Sequence, residues 1–533
     1  MKIFSGRGPA MRLLVLLALP LGLGAQDYWF EEPEDSAGPE ISAGSEISIG
    51  KIGLKTSGEI AGELLVFPHE LGGGRAGAAE WGNLVSAKLN FDASSPNAEA
   101  ALHFNLSPRS IRDMTETASG NLFRTPLLID ELYLRAFLGP LTLETGLRKL
   151  AWGRADVQGP LDVTNPLDYT DLTNAGDTMG RKIARPMIRA SLPLGSVSRL
   201  EGVFIPSFQG HRYALDPEDP WYPRAITDKR RDGMIDDLAG GIVERLPAPL
   251  NQPPVSSAIA QRTAAGIGSG VANLNADDVP GAQSLKHAQG GLRFTTTQGP
   301  ADFGIQYYSG FLFRPSLTVK GAEGLLAAVA GSAAPILAAY QAGYGSLENI
   351  LTGMIDSAGL GSRIVYNRYH QIGLDYTQVL FGASFRAELA ANITGDAAGD
   401  DGGVYNPFLA WSAGFDRDLF GFTLFVEADE SIRLLAGSVG DSAALDTEAG
   451  MPLTATALTI RISRAFFQDK LALKFALLWN IESGDAYLMP SAAYSMGDLE
   501  AELSGGIFAG KDGGELSQYR RSGYVKTTLT YSF

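Results

Sequence analysis

The sequence predicts an all-β fold, a transmembrane antiparallel up-and-down β-barrel of about 18 strands, with 16 as the alternative count and long extracellular loops that hold some helix. Three observations predict it. Apolar and polar residues alternate with a period of two through segments of roughly ten residues, the length a tilted strand needs to cross a bilayer. Short turns alternate with long loops, the asymmetry of a barrel with a periplasmic and an extracellular side. The chain also opens on an export signal and closes on an aromatic residue, Phe533.

The signal is the first element. Lys2, Arg7 and Arg12 precede the apolar run Leu13 to Leu23, and Leu23-Gly24-Ala25 supplies small residues for cleavage before Gln26. The run is shorter than the ~20 residues of a spanning helix. Residues 1–25 are therefore expected to be removed, with Met11 as an alternative start to Met1 because Met11-Arg12-Leu13 already opens a complete signal. Residues 26–50, acidic through Glu31, Glu32, Glu34, Asp35 and Glu40, are expected to form a flexible periplasmic lead-in, and 51–533 the barrel. This lead-in is far shorter than the plug domain of an energised transporter.

Composition narrows the chemistry. The 533 residues include no cysteine, which excludes a disulfide framework, Cys-based zinc sites, iron–sulfur clusters, thiol catalysis and a lipoprotein anchor. A formal charge of −16 argues against a nucleic-acid binder. The 64 glycines in 533 residues are about 12%, against a usual ~7%, as expected of a chain with many turns.

The first strand, from Lys51, is read as one long segment because Ile52, Leu54, Thr56, Ile60, Leu64 and Val66 keep one phase. A break at Gly58 would give an odd count, whereas bacterial barrels have an even one. The next segment begins at Leu84, with Val85, Ala87, Leu89 and Phe91 apolar, and its hairpin partner begins at Ala98 after the turn Ser94 to Asn97. Segments from Leu128 and Leu141 are joined at Gly139-Pro140. The rest begin at Pro186, Ser198, Gly291, Ala301, Arg363, Phe381, Tyr405, Phe420, Thr454, Lys470, Asp485, Asp498 and Ser522. Long loops are expected at 153–185, 207–289 and 316–362. Ala322 to Tyr340 and Leu347 to Ala358 read as helices inside the last of these, and Lys229-Arg230-Arg231-Asp232 as a solvated turn.

In a membrane barrel the apolar face meets lipid and the polar face meets the lumen. That assigns Lys88, Asn90, His103, Asn105, Tyr133 and Arg135 to the pore lining, followed along the chain by Glu144, Arg148, Arg189 and Gln306. Arg386, Glu388, Glu427, Arg461, Lys474 and Lys526 complete the set. A barrel of ~16–18 strands is wide enough for a water-filled channel. Basic residues outnumber acidic ones in this set, so a mildly anion-tolerant pore under acidic outer loops is expected. The function expected is passive diffusion of small polar solutes across the outer membrane. Outer-membrane lipid surrounds such a barrel; no cofactor, metal or nucleic acid is called for, and monomer and trimer both stay open.

The loop 153–185 is the expected constriction. Its Pro-Leu-Asp triplets at Pro160 to Asp162 and Pro166 to Asp168 are turn chemistry that makes a compact polar loop able to fold inward. The run Gly146-Leu147-Arg148-Lys149-Leu150-Ala151-Trp152-Gly153, followed by Asp162, Asn165, Pro166 and Asp168, resembles a Trp-Gly…Asn-Pro loop motif of a little-characterised class of porin-like outer-membrane proteins. The resemblance implies a channel, with no catalytic residues to carry over. Packing of this motif against the barrel wall and contact with solute are both open. Phe533, with Tyr531 and Leu529 on the same face, is similar to the terminal signature read by the outer-membrane barrel-assembly machinery.

An enzyme is the weaker reading. His103 has Asn105 and Ser107 on its face, but HExxH, GxSxG and P-loop motifs are absent from the sequence. A hydrolase and a non-conducting surface adhesin or structural barrel are the alternatives.

Overall fold

The structure is a computed structural model that describes residues 45–49, 51–71, 85–111, 127–157, 159–214, 216, 218–224, 228–246, 253–267, 285–435, 447–448, 451–511 and 514–533. Eighteen strands close into one antiparallel barrel. They are β1 (Ile52–Val66), β2 (Val85–Ser95), β3 (Ala98–Leu106), β4 (Ile129–Leu138), β5 (Leu141–Arg148) and β6 (Arg185–Leu194). Next come β7 (Ser198–Ile205), β8 (Gln289–Gln298), β9 (Ala301–Phe311), β10 (Arg368–Leu380), β11 (Ala383–Thr394) and β12 (Phe408–Leu419). The last are β13 (Phe422–Arg433), β14 (Thr454–Phe466), β15 (Leu471–Asn480), β16 (Asp485–Met496), β17 (Leu499–Ala509) and β18 (Tyr524–Ser532). Each pairs with its neighbours in chain order, and β18 returns to β1 through pairs such as Glu59↔Ser532 and Val66↔Val525.

The alternation of the sequence becomes two faces. Ile60, Leu64, Leu132, Leu134, Leu374, Trp479 and Leu529 stand exposed on the outside, as residues that meet lipid must. Strands turn tightly at one end of the barrel, as at Phe381-Gly382 and Phe420-Gly421, where both residues have positive φ, the pairing that matches the twist of a two-residue hairpin. All the long connections leave the other end, and both termini of the barrel lie at the tight-turn end.

Strand starts expected from periodicity fall within three residues of those observed, with one exception. The tenth was expected from Arg363 but begins at Arg368, because Gly361–Val365 pairs instead with Ser316–Lys320 in a separate two-stranded stem. That stem carries α3 (Ala322–Gly331), α4 (Ala333–Ala342) and α5 (Tyr344–Ala358). They pack with α1 (Asp228–Glu244) and α2 (Pro253–Ile267), from the loop after β7, around Leu238, Ile242, Ile259, Leu325 and Ile336. The turn expected at Lys229 to Asp232 is therefore helix. Met234, Leu238 and Ile242 recur at helical spacing and bury one face, which overrides the local charge run.

The signal at 1–25 and most of the lead-in lie outside the described residues. Ser45–Ile49, the last of the lead-in that is described, is a strand laid along the start of β1, with Ser45 opposite Thr56. It continues the line of β18, whose terminal Phe533 exchanges both backbone bonds with Gly58 at 2.8 and 2.9 Å.

Candidate functional site in the barrel lumen

The connection between β5 and β6 folds into the barrel, and Asn165 holds its two ends together. Its side chain donates to Arg148 O and Ile183 O, both at 2.9 Å, and accepts from Leu150 N–H at 2.8 Å. Lys182 adds bonds to Leu150 O and, at 2.8 Å, to the carboxylate of Asp162. Burial raises the pKa of Asp162, and Lys182 opposes that rise. The Trp152 indole donates to Glu201 of β7 at 2.6 Å. Pro166 O accepts from Ile183 N–H at 2.9 Å, and Asp168 takes both Arg109 and the start of its own Asx turn at Thr170.

Past Gly153 the loop crosses to the far wall. Backbone N–H groups of Arg154, Ala155 and Leu161 converge on the carboxylate of Glu388 on β11. Those of Asp156 and Val157 reach Glu427 on β13 at 3.1 and 3.2 Å. Gln306 of β9 and Gln371 of β10 donate to Leu161 O and Pro160 O at 3.0 and 2.9 Å. Leu161 packs so closely on β10 that a Cβ at Gly373 would stand 2.2 Å from its Cδ2. A second stretch reaches the opposite side, where Tyr487 donates to Leu172 O at 2.8 Å and Lys526 to Asn174 Oδ1 at 2.8 Å. Carboxylates that accept several backbone N–H groups make charge-assisted bonds in a confined space, roughly twice as strong as neutral ones.

The expected inner-face residues divide into two groups. Along β4 to β14 they are engaged. Arg135 bonds Glu99 at 2.8 Å and Glu144 at 3.0 Å, Arg148 lies 3.2 Å from Glu131 and 3.9 Å above the Tyr133 ring, and Arg189 bridges Glu144 and Glu201. Arg386 bonds Asp156 of the loop and Asp416, both at 2.6 Å, and Arg461 donates to Asp156 O at 3.3 Å. On the remaining wall Lys88 and Lys474 are open, whereas Lys526 is buried against Asn174 of the loop. The Lys88 side chain is 61% exposed beside Glu59, whereas that of Arg386 is 12% exposed. Lys474 is exposed as well. Asn90 and Asn105 sit on the same register face, opposite His103 and Lys88.

Several residues that matter were not picked out from the sequence. Asp375 on β10 lies 3.0 Å from Arg293 and 3.3 Å from Arg154, and Glu201 and Asp156 complete the other pairs. Asp375 and Arg293 lie on the polar phase of strands whose alternation was read, so the signal was present; Asp156 is a loop residue with no such periodicity. The excess of basic residues expected inside is thus matched by carboxylates on this wall. His103 lies 3.0 Å from Asp92 and 3.9 Å from Glu131, so two carboxylates, and no serine, are its partners. Among the described residues, no group of three or more His, Asp or Glu side chains is arranged to hold a metal ion.

No protein-family model matches the chain, and no curated protein matches it in sequence. Solved structures with a related outline include a BenF-like porin from Pseudomonas fluorescens, at 9% identity and a TM-score of 0.41, covering 91% of this chain and 98% of that one. Acinetobacter baumannii OccAB4 is 7% identical with a TM-score of 0.43, covering 91% and 98%. Salmonella typhi OmpF, in a complex with daunomycin, is 8% identical with a TM-score of 0.34, covering 92% and 100%.

Proposed function

We propose that the chain is an outer-membrane channel through which small polar solutes diffuse passively, constricted by the loop between β5 and β6. In this reading residues 1–25 are removed on export, 26–50 precede the barrel on the periplasmic side, and the route runs beside the inward loop, along the wall that carries Lys88 and Lys474. The observation that carries it is the contrast in exposure across the lumen: Lys88 is wetted on the inner face, while Arg386 is covered by the loop. A barrel this wide has room for both a folded-in loop and water. Charge pairing on the loop side leaves selectivity to the open wall, where Lys88 stands beside Glu59 and near Glu63, so weak ion preference is expected.

The absence of native cysteine makes a direct test simple. Lys88→Cys and Lys474→Cys should react with a charged methanethiosulfonate in planar bilayers and change single-channel conductance by tens of per cent, while Arg386→Cys should react slowly. A refolded barrel that conducts nothing, together with liposomes that take up no sugar of any size, would establish the surface-adhesin alternative.

A further inference from the structure

The outward face of β8 to β10 is built differently from the rest of the lipid-facing wall. At its long-loop end Arg368 projects outward, lies 4.5 Å over the ring of Phe311, and donates to Lys286 O at 3.0 Å and Ala288 O at 3.3 Å. Those bonds hold the short helix Leu285–His287 against the barrel rim, with Lys286 exposed and Leu285 73% exposed. Immediately below, His370 stacks on Tyr307 and shares a 2.8 Å hydrogen bond with its hydroxyl through Nδ1. Lower still is an apolar recess of about 460 Å³ between Phe294, Phe303, Ile305, Leu374, Tyr376 and Leu389, with the small Ala387 among them. Asp375 and Glu388 border it only from within the wall, since their carboxylates are bonded to Arg293 and to the inward loop. The outward positions of these three strands carry no carboxylate.

The vertical spacing suits one leaflet. From His370 to Leu374 and Tyr376 is four and six residues of β10, roughly 13 and 20 Å along the strand and less along the membrane normal once the strand is tilted, against a half-bilayer of roughly 15 Å of hydrocarbon. We propose that this face is a binding site for a single phosphorylated lipid of the outer leaflet. Its phosphate sits among Lys286, Arg368 and His370, and one acyl chain runs down past Ile372 into the recess. Charge complementarity selects the headgroup. Guanidinium, ammonium and imidazole donors held at the interface, with no acid among them on the strands, favour a doubly charged phosphomonoester over a neutral or singly charged lipid. The recess then excludes lipids without a chain to fill it.

The test uses the full-length barrel in nanodiscs of phosphatidylcholine doped with bisphosphorylated lipid A, read by native mass spectrometry and by thermal midpoint. One lipid A per barrel should be retained. Lys286→Glu combined with His370→Glu should lower its apparent affinity at least tenfold. Ala387→Trp, which fills the recess and leaves the basic rim intact, should lower it severalfold. Heat-modifiable mobility on gels confirms that each variant is a closed barrel. Equal retention of dephosphorylated lipid A, equal retention of phosphatidylglycerol, unchanged binding in both variants, or occupation of the face by a second copy of the chain would each overturn the proposal. None of these readouts depends on whether the barrel conducts.

Discussion

At the scale of single residues the inward loop is held by polar side chains that are almost wholly buried, and this decides what they are for. Asn165 is 1% exposed and uses its oxygen and both amide hydrogens on the backbone of the loop ends. A residue so engaged fixes shape and has nothing left to offer a solute. Trp152, at 4% exposed and bonded to Glu201, belongs with it. The loop motif thus packs on the barrel, and in the proposed channel contact with solute would fall to exposed residues such as Lys88. His211 adds a pH dependence. Its Nδ1 accepts from Leu167 N–H at 2.9 Å, its ring meets Tyr169 and Phe313, and burial, with Arg181 and Arg314 facing it, pushes its pKa down to about 3. A base whose folded pKa is depressed stabilises the fold fully above its unfolded value of ~6.5, and that contribution is lost as pH falls from there towards about 3. The protection factor of the Leu167 amide, the intrinsic exchange rate divided by the observed rate at the same pH, should therefore fall between pH 7 and pH 5. His211→Asn, which keeps an acceptor that does not titrate in this range, should flatten the dependence, and an unchanged slope in that variant would locate the titrating group elsewhere.

Among the elements, strands were far more legible in the sequence than loops. A strand that separates lipid from water must alternate at every position, so Val85 to Phe91 or Leu471 to Trp479 announce themselves. The failure at Arg363 shows the limit: Gly361–Val365 is also a strand, and period alone cannot say that its partner is Ser316–Lys320 and not the barrel. The candidate site was half legible for a related reason. The inner face could be read from parity, but Glu388 and its bonds to Arg154, Ala155 and Leu161 lie more than two hundred residues apart in sequence, and no local pattern encodes such a pairing. The helices α1 to α5 are a similar case, two loops that bury one shared core. Ile242 is fully buried in it, so Ile242→Ala should cost about 2–5 kcal/mol there. Because the cap has its own core, the expected outcome is selective: faster proteolysis within residues 228–267, with the barrel still resistant to unfolding in cold detergent. Loss of barrel resistance in the same variant would mean that cap and barrel fold as one unit.

For the molecule as a whole, closure depends on the seam between β18 and β1, where Phe533 has a structural role and a second, proposed one that can be separated from it. One is structural. Its backbone completes the β18–β1 ladder at Gly58, and its ring lies where a Gly58 Cβ would stand, 2.8 Å from the ring edge and 2.7 Å from Lys88 O. The other, proposed from its resemblance to a terminal assembly signal, is recognition during insertion in the cell. The two roles predict opposite patterns. Gly58→Leu leaves the terminal residue unchanged but forces the Phe533 ring and the β1–β2 ladder apart, so it should lower the thermal midpoint of the purified barrel and weaken its heat-modifiable band wherever it is folded. Phe533→Ala keeps both backbone bonds at the seam, so the chain refolded in detergent should close with a midpoint near that of the parent, whereas its yield in outer membranes should drop severalfold. Should Phe533→Ala destabilise the refolded barrel as much as Gly58→Leu does, the ring acts as the latch of the seam and the terminal signature is a by-product of closing the barrel.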